Sequence, residues 1–489
     1  MLKSKPIIKC IFVFLLVGVL QSTAWSQIIA GPFEISGFYQ FTTAASLEYA
    51  NPNNAGGWLK EEGRPNLLLM RQQFTLRING KLSDEWRVFF EPRVFHDLTK
   101  AADAHFRSYE SFPVNFSGNG NMLRVGGNDC KAELWQAYAD YNKGDLWIRL
   151  GKQQIAWGEA IALRVLDTVN PLDLSSFFFF DRSFEEFDAI RIPQWFIRTD
   201  YRIPFASVPD FTLEFILNPG AVVPTLFADQ GAPFNVVPGY LEVLDNVKQG
   251  HPTVGGRVTG TYKSLQFSLN FVTKPNDEPT GRLVGLRPDE RGIPVLAPFG
   301  DPTLYRILLQ GEHPRIYVVG GSMNYSWRQA GAMLRAETTL TIDNPFQFTV
   351  ANPTVKERKV WKTVLAVDRP VKLVEGWDSL SIGFQFFETV TYGDIDNIFY
   401  NGAKVDRGVT NMTLFLQQPF YNQRLILECL GIYDTDGCGW IQSGGHWTLG
   451  DNLRFDLYYN KFTGTEKRAG RWGSFNWASG PFFRFTYGF

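Results

Sequence analysis

The residues best suited to act on a solute are concentrated in one segment, residues 154–193. Acidic, basic and aromatic side chains alternate there, and the segment contains four consecutive phenylalanines, Phe177–Phe180. Four phenylalanines on a water-exposed loop would form a costly apolar patch, so we predict that the segment folds back into the protein. Its remaining side chains would then line a narrow passage: Trp157, Glu159, Asp173, Asp181, Arg182, Glu185, Glu186, Asp188 and Arg191. In the alternative, Phe177–Phe180 dip into a lipid leaflet or only pack loops together.

Residues for catalysis or for metal binding are sparse. The five histidines adjoin no Ser or Cys in a nucleophile motif and do not pair at metal-ligand spacing. Residues 434–437 resemble a fragment of a calcium loop but lack the distal Glu. The sequence therefore predicts no enzyme, no metal and no cofactor. One alternative stays open: a hydrolase built on a β-barrel, with catalytic residues brought together from distant strands.

Two cysteines, Cys429 and Cys438, flank a short loop between predicted strands. In an oxidising compartment such a pair can form a disulfide that locks the loop. The alternative is two buried or unpaired thiols.

These residues are positioned by strands. Met70 to Leu82 alternates apolar and polar residues with period two, which excludes an amphipathic helix. The same strand–turn–strand unit recurs along the chain, and we count about 18 strands, within a range of 16–18. On the last strand, one face carries only aromatic residues, namely Phe483, Phe485, Tyr487 and Phe489. This ending resembles the closing strand of bacterial outer-membrane barrels, which serves there as the assembly signal.

The connections between predicted strands alternate between short and long. Short periplasmic turns and long outer loops are the expected asymmetry of a barrel in the outer membrane. We therefore predict an all-β protein, a transmembrane antiparallel β-barrel whose third long loop, 154–193, folds inward.

The N-terminal residues predict export. A basic start, an apolar run from Ile11 to Leu20 and small residues before Gln27 form a secretory signal. We assign residues 1–26 to the signal peptide and residues 27–489 to the barrel, in the outer membrane of a Gram-negative bacterium. Aromatic residues make up 15% of the chain, which suits interfacial girdles. A net charge of −1 argues against nucleic acid as a partner.

The polar face of the predicted strands is rich in arginine. If the apolar residues face lipid, nine arginines form the pore wall: Arg71, Arg77, Arg87, Arg93, Arg149, Arg198, Arg202, Arg335 and Arg454. Fewer carboxylates share that face, and a basic excess would favour anionic solutes. The alternative is that arginines and carboxylates pair across strands and fill the lumen.

Residues 148–175 carry a resemblance to a known family. The runs Leu150–Gln154, Trp157–Glu159 and Asn170–Asp173 resemble a family of functionally unassigned proteobacterial outer-membrane proteins. Members of that family are often encoded beside exporters of the resistance-nodulation-division (RND) class and a periplasmic lipid-carrier-like protein. Lys152 stands where the family usually has Arg. The resemblance implies a hydrophobic or amphiphilic cargo, with the exporter and the carrier as partners.

The sequence as a whole predicts an outer-membrane channel for passive passage of a solute. Its expected partners are outer-membrane lipid and the barrel-assembly machinery. The alternative is a non-conducting interaction or assembly barrel with a filled lumen.

Overall fold

The computed structural model describes residues 28–48, 66–102, 123–126, 130–176, 187–205, 207–208, 210–227, 241–245, 251–294, 304–347, 355–400, 403–464 and 472–489. The assigned signal peptide and residues 177–186, which include Phe177–Phe180, Asp181, Arg182, Glu185 and Glu186, lie outside these ranges.

Eighteen antiparallel strands form one closed barrel, as predicted. In chain order they are β1 (Phe33–Ser46), β2 (Asn66–Lys81), β3 (Trp86–Asp97), β4 (Cys130–Lys143), β5 (Leu146–Gln153), β6 (Gln194–Arg202), β7 (Thr212–Asn218), β8 (Thr253–Tyr262) and β9 (Leu265–Pro275). They continue with β10 (Arg315–Trp327), β11 (Ala332–Gln347), β12 (Val355–Val371), β13 (Leu380–Tyr392), β14 (Gly408–Phe420), β15 (Leu425–Asp434), β16 (Cys438–Leu449), β17 (Leu453–Thr463) and β18 (Gly480–Gly488).

The barrel closes between its first and last strands. Strand β18 pairs with β1 from Phe38↔Gly488 to Ala44↔Phe482. Beyond the strand, Phe489 exchanges two backbone hydrogen bonds with Gly37 and stacks its ring on Phe74 at 5.8 Å. The C-terminal residue is therefore part of the seam.

Shorter elements belong to the connections. A three-stranded sheet in the long loops consists of Leu241–Asp245, Leu304–Glu312 and Thr280–Pro294. The other short strands are Ile28–Ala30, Arg124–Gly126, Phe399–Tyr400 and Ala403–Lys404. The helical turns are Thr99–Ala102, Leu174–Ser176, Phe187–Ile190 and Trp472–Ala478. Among the described residues, no helix is both long and apolar enough to cross a bilayer.

The two faces of the barrel wall differ in chemistry. Outward residues are apolar and exposed, for example Leu150, Leu269 and Leu457. Exposed aromatic residues gather where the strands meet the short turns, at Trp86, Tyr201, Tyr262, Trp327 and Trp447, and again at the opposite end, at Tyr317, Tyr392 and Tyr433. An apolar exterior between aromatic girdles is the surface that a barrel presents to lipid. We call the two ends of the barrel the short-turn end and the long-loop end.

Candidate functional site

The third long loop enters the barrel, as predicted. We call residues 154–173 the inserted segment. Trp157 donates its indole N–H to Glu214 of β7 at 2.9 Å, and the backbone N–H of Ile161 donates to Gln385 of β13 at 3.2 Å. These wall residues lie six strands apart, so the segment bridges the lumen.

Glu337 of β11 is the central attachment of this segment. Its carboxylate accepts the backbone N–H of Glu159 and, at 3.2 Å, that of Leu166. Glu337 is only 4% exposed. A side chain at Gly158 would place Cβ 2.7 Å from the Asp167 nitrogen and 3.1 Å from a Glu337 oxygen, so glycine is required for this approach. The wall carboxylate thus replaces water as the partner of a loop backbone in the lumen.

Apolar packing holds the same segment against several parts of the wall. Ile155, Trp157 and Val169 pack with wall residues of β6, β7, β9 and β10, namely Phe196, Ile216, Val272, Ile316 and Val318. Val165 packs with Val364 and Phe387, on β12 and β13. Ala162 joins a cluster that includes Leu430, Trp440 and Tyr458, on β15 to β17. The segment therefore has a small core of its own inside the barrel.

The base of the loop is closed by Asn170. Its side-chain oxygen accepts the Ile155 N–H at 2.9 Å, and its amide donates to the Ile192 carbonyl at 2.8 Å. Lys274 of β9 adds bonds to the carbonyls of Thr168 and Val169, at 2.6 and 3.0 Å. The two limbs of the loop are thereby tied to each other and to the wall.

Asp173 ends the inserted segment in a buried ionic network. Arg124 lies 2.9 Å from Asp173 and 2.7 Å from Glu133 of β4, and Glu133 also pairs with Arg93. Burial alone would raise the pKa of Asp173, but the charges of Arg124 and Lys131 outweigh it and hold the pKa below its ordinary value. Asp173 is therefore ionised at neutral pH.

Arg191 forms a second buried pair, with Asp167 at 2.7 Å, and also contacts Asp188. Burial alone would lower the pKa of Arg191, but Asp167 and Asp188 raise it above the ordinary value. This pair joins the outgoing and returning limbs of the loop.

Part of the inserted segment faces open space. Ala156 and Glu159 are exposed inside the barrel. The Glu159 carboxylate accepts from Asn324 at 2.8 Å, and its backbone carbonyl accepts from Arg335 at 3.0 Å. On the short-turn side of Ile161 lies a cavity of about 460 Å³, lined partly by Met333 and Phe415. The lumen is thus narrowed but keeps solvent-accessible space.

The described constriction candidates fall into two groups. Glu159 and Asp188 are exposed, and Glu159 stays a predicted lining residue. Trp157, Asp173 and Arg191 are buried and bonded to Glu214, Arg124 and Asp167. These three hold the loop in place, a role that differs from the predicted one. Asp181, Arg182, Glu185 and Glu186 lie outside the described residues.

The nine wall arginines share the face that carries Glu214 and Glu337, by strand register. Six of them are paired with carboxylates: Arg71 with Asp97, Arg93 with Glu133, Arg149 with Asp140, Arg198 with Asp200 and Glu214, Arg335 with Asp368, and Arg454 with Asp456. Within the described part of the chain, Arg77, Arg87 and Arg202 form no ion pair. Pairing within the wall, along strands and between them, therefore offsets most of the predicted basic excess.

Of the two alternatives for Cys429 and Cys438, the structure has the second: the two thiols form no disulfide. Cys438 lies opposite Asp434, whereas Cys429 lies five residues earlier on β15, opposite Ser443. Because five is odd, the two side chains also point to opposite faces of the sheet.

Sequence reasoning missed Gln385 and Lys274 and did not single out the role of Glu337. All three belong to the alternating polar face of their strands, which is a detectable signal. Their partners, however, are loop backbone groups that no periodicity identifies.

These features define a class of protein: a membrane β-barrel whose lumen is narrowed by an inserted third loop. The chain belongs to the family DUF1302, a protein family of unknown function, whose model matches residues 40–479. No curated protein matches the chain.

Solved structures similar in fold include OccAB3 of Acinetobacter baumannii, at TM-score 0.46 and 7% identity over 94% of this chain and 100% of that one. The outer membrane channel DcaP of A. baumannii matches at TM-score 0.40 and 9% identity, over 94% and 97% of the two chains. OmpF of Salmonella typhi in complex with daunomycin matches at TM-score 0.41 and 10% identity, over 95% and 100%.

Proposed function

We propose that the protein is an outer-membrane channel for passive passage of a solute, with its short-turn end in the periplasm. The observation that carries this proposal is the inserted segment, which narrows the lumen while Ala156 and Glu159 stay exposed. In a segment that only sealed the barrel, Ala156 and Glu159 would be buried. In a constriction, such residues select among solutes.

The test is conductance in planar bilayers. Ile155 and Asn170 are hydrogen bonded at 2.9 Å, so residues 156–168 can be replaced by a short Gly-Ser linker without moving the ends of the loop. We expect small current steps from the full chain and steps several-fold larger from the shortened variant. Heat-modifiable migration on gels serves as the folding control for both proteins.

The second candidate is a non-conducting barrel with a filled lumen. The apolar packing of Ile155, Trp157 and Val169 against the wall favours it, because such packing resembles a core. Absence of current steps from both folded proteins would overturn the channel proposal in favour of this one.

We also propose a hydrophobic or amphiphilic cargo, delivered by an RND-type exporter and a periplasmic carrier protein. The motif resemblance in residues 148–175 and the apolar side chains of Ile161, Met333 and Phe415 in the cavity support this proposal. Deleting the gene for this protein should then abolish export of an amphiphilic compound only in cells that contain the exporter. An equal loss in cells without the exporter would contradict the link.

The barrel-assembly machinery is the proposed partner of the last strand. Deleting Phe489 should reduce the amount of membrane-inserted protein, whereas Phe489→Tyr should preserve it. Because Phe489 also bonds with Gly37, Phe489→Ala separates the two roles: it keeps the backbone bonds and removes only the ring. Normal insertion of Phe489→Ala would contradict recognition of the aromatic side chain.

A further inference from the structure

Two aromatic rings form a platform on the lumen face near the short-turn end. Phe89 of β3 and Tyr138 of β4 lie directly opposite each other in the register. Their rings are stacked, with centroids 5.1 Å apart. Both side chains are half-buried.

Three cations surround Phe89. Asn79 of β2 lies opposite Phe89, which places Arg77 and Lys81 at the two diagonal positions. Arg87 precedes Phe89 by two residues and therefore shares its face. Arg77, Lys81 and Arg87 are all exposed.

Carboxylates share the face of these cations: Asp140 of β4 lies opposite Arg87, and Glu34 of β1 lies opposite Asn79. Asp140 pairs with Arg149, at 2.7 Å. Arg87 lies directly opposite Lys81, and like charges in that position destabilise a strand pair. Lys81 reaches Asp84 at 2.8 Å, but both side chains are mostly exposed, and such pairs are weak. Among the described residues no carboxylate forms an ion pair with Arg77 or Arg87. Glu91, the nearest acid along β3, is hydrogen bonded by Gln136 instead.

The far side of the platform is rigid. Arg149 stacks over the Tyr138 ring at 3.7 Å and over Trp147 at 4.9 Å, and it pairs with Asp140 at 2.7 Å. Its guanidinium is therefore fully engaged and holds Tyr138 in position. The exposed cations lie on the other side of the platform, next to Phe89.

We propose that Phe89, Arg77 and Arg87 form a binding site for aromatic carboxylates. The ring of the ligand stacks beside Phe89, and its carboxylate accepts hydrogen bonds from Arg87 or Arg77. This inference rests on the proposed channel function, because it names the class of solute that the periplasmic half of the lumen would select. It concerns a different wall from the apolar cavity beneath Ile161.

The experiment measures binding of benzoate to the full folded chain in detergent, by saturation-transfer NMR. Cyclohexanecarboxylate has the same charge without an aromatic ring, and benzyl alcohol has the ring without the charge. We expect benzoate to bind about tenfold more tightly than either, a difference of about 1.4 kcal/mol, since each control compound lacks either the stacking ring or the charge-assisted bond. Equal affinity for benzoate and cyclohexanecarboxylate would overturn the site.

Variants locate the site on the chain. Phe89→Leu and the double variant Arg77→Gln/Arg87→Gln should each weaken benzoate binding by about tenfold, by the same energies. Phe89→Tyr should retain it and thereby controls for folding. Arg328→Gln, which removes one charge from the short turn after β10, should leave binding unchanged. Unchanged binding in Phe89→Leu, or an equal loss in Arg328→Gln, would contradict the assignment.

Benzoate binding and conductance are measured separately, so failure of the binding site can be distinguished from failure of the channel. Benzoate binding without current steps would keep the site and reject the channel. Current steps without benzoate binding would keep the channel and reject the site.

Discussion

The barrel interior has two walls whose polar groups are satisfied in different ways. On the covered wall, β7 to β13, polar side chains such as Glu337 and Gln385 accept hydrogen bonds from the inserted segment. On the open wall, the short-turn halves of β2 to β5, Arg149 pairs with Asp140 of the wall itself, and Arg77 lies over the ring of Phe38, at 5.5 Å. The same alternating pattern thus builds a loop support on one side and a solute-facing surface on the other.

The difference shows what decides the role of a wall residue. A buried carboxylate that accepts backbone N–H groups has little freedom to meet a solute. An exposed guanidinium without a carboxylate partner is available to one. Variants on the covered wall should therefore change stability and pore size, and variants on the open wall should change selectivity.

The largest effect is expected from Glu337→Ala. The change leaves the N–H groups of Glu159 and Leu166 without their acceptor, at a cost of about 1–3 kcal/mol each. Urea unfolding in detergent should show this loss, and bilayer recordings should show larger or noisier current steps as the segment detaches. Glu337→Gln retains one acceptor oxygen, so its stability should lie between that of Glu337→Ala and that of the wild type. Wild-type stability and conductance in Glu337→Ala would contradict the role of the covered wall.

Asp173→Asn tests the ionic attachment at the end of the inserted segment, where Arg124 joins Asp173 to Glu133 of β4. The variant weakens the contact with Arg124, a buried charge-assisted bond, and should cost about 2 kcal/mol at neutral pH. Because the folded-state pKa of Asp173 lies below its ordinary value, the carboxylate stabilises the fold above the unfolded pKa of about 3.9. That stabilisation is lost as the pH falls towards the folded pKa.

The pH dependence separates Asp173 from a matched residue of the same loop. Wild-type stability should fall more steeply below about pH 4 than that of Asp173→Asn. Asp188→Asn should resemble the wild type, because the Asp188 side chain is 80% exposed. Parallel pH profiles for wild type and Asp173→Asn would refute the ionic attachment.

Gly320→Ala tests packing on the covered wall. An added Cβ would lie 2.8 Å from Leu166 and 2.4 Å from the Thr338 carbonyl, so loop and neighbouring strand must both shift. Overpacking of this kind costs about 1–3 kcal/mol. Gly431→Ala is the control, since nothing lies within 4 Å of its added Cβ. Equal urea midpoints for the two variants would mean that the inserted segment is not packed against β10.

The sequence predicts the strands of the barrel wall better than it predicts the contacts between the wall and the inserted segment. Period-two alternation identifies β2 and places Arg77 on its polar face, because side-chain direction in a strand depends only on parity. The same reasoning cannot show that Glu337 bonds Glu159, which is 178 residues away, since that contact depends on the path of the loop. Asp173 was predicted to face the passage for a related reason. Its residue type suits a lining position, and its partner Arg124 belongs to another long loop.

The smallest expected effect concerns selectivity. The double variant Arg77→Gln/Arg87→Gln should shift the reversal potential under a salt gradient towards cations. In a water-filled lumen, each removed charge at ~8 Å from the permeating ion contributes on the order of 0.5 kcal/mol. That energy changes the anion-to-cation permeability ratio roughly twofold. Both arginines are exposed and carry a charge that no described carboxylate cancels in an ion pair.

Arg335→Gln is the matched variant on the covered wall. Arg335 lies 2.7 Å from Asp368, so its charge is already offset, and its removal leaves Asp368 facing the lumen. If simple charge counting governed selectivity, one Arg335 substitution would act like one Arg77 substitution. If the two walls differ as proposed, Arg77→Gln alters selectivity without changing step size, whereas Arg335→Gln also alters step size, because its other bond holds the Glu159 carbonyl. Identical changes in reversal potential and step size for the two variants would remove the distinction between the walls.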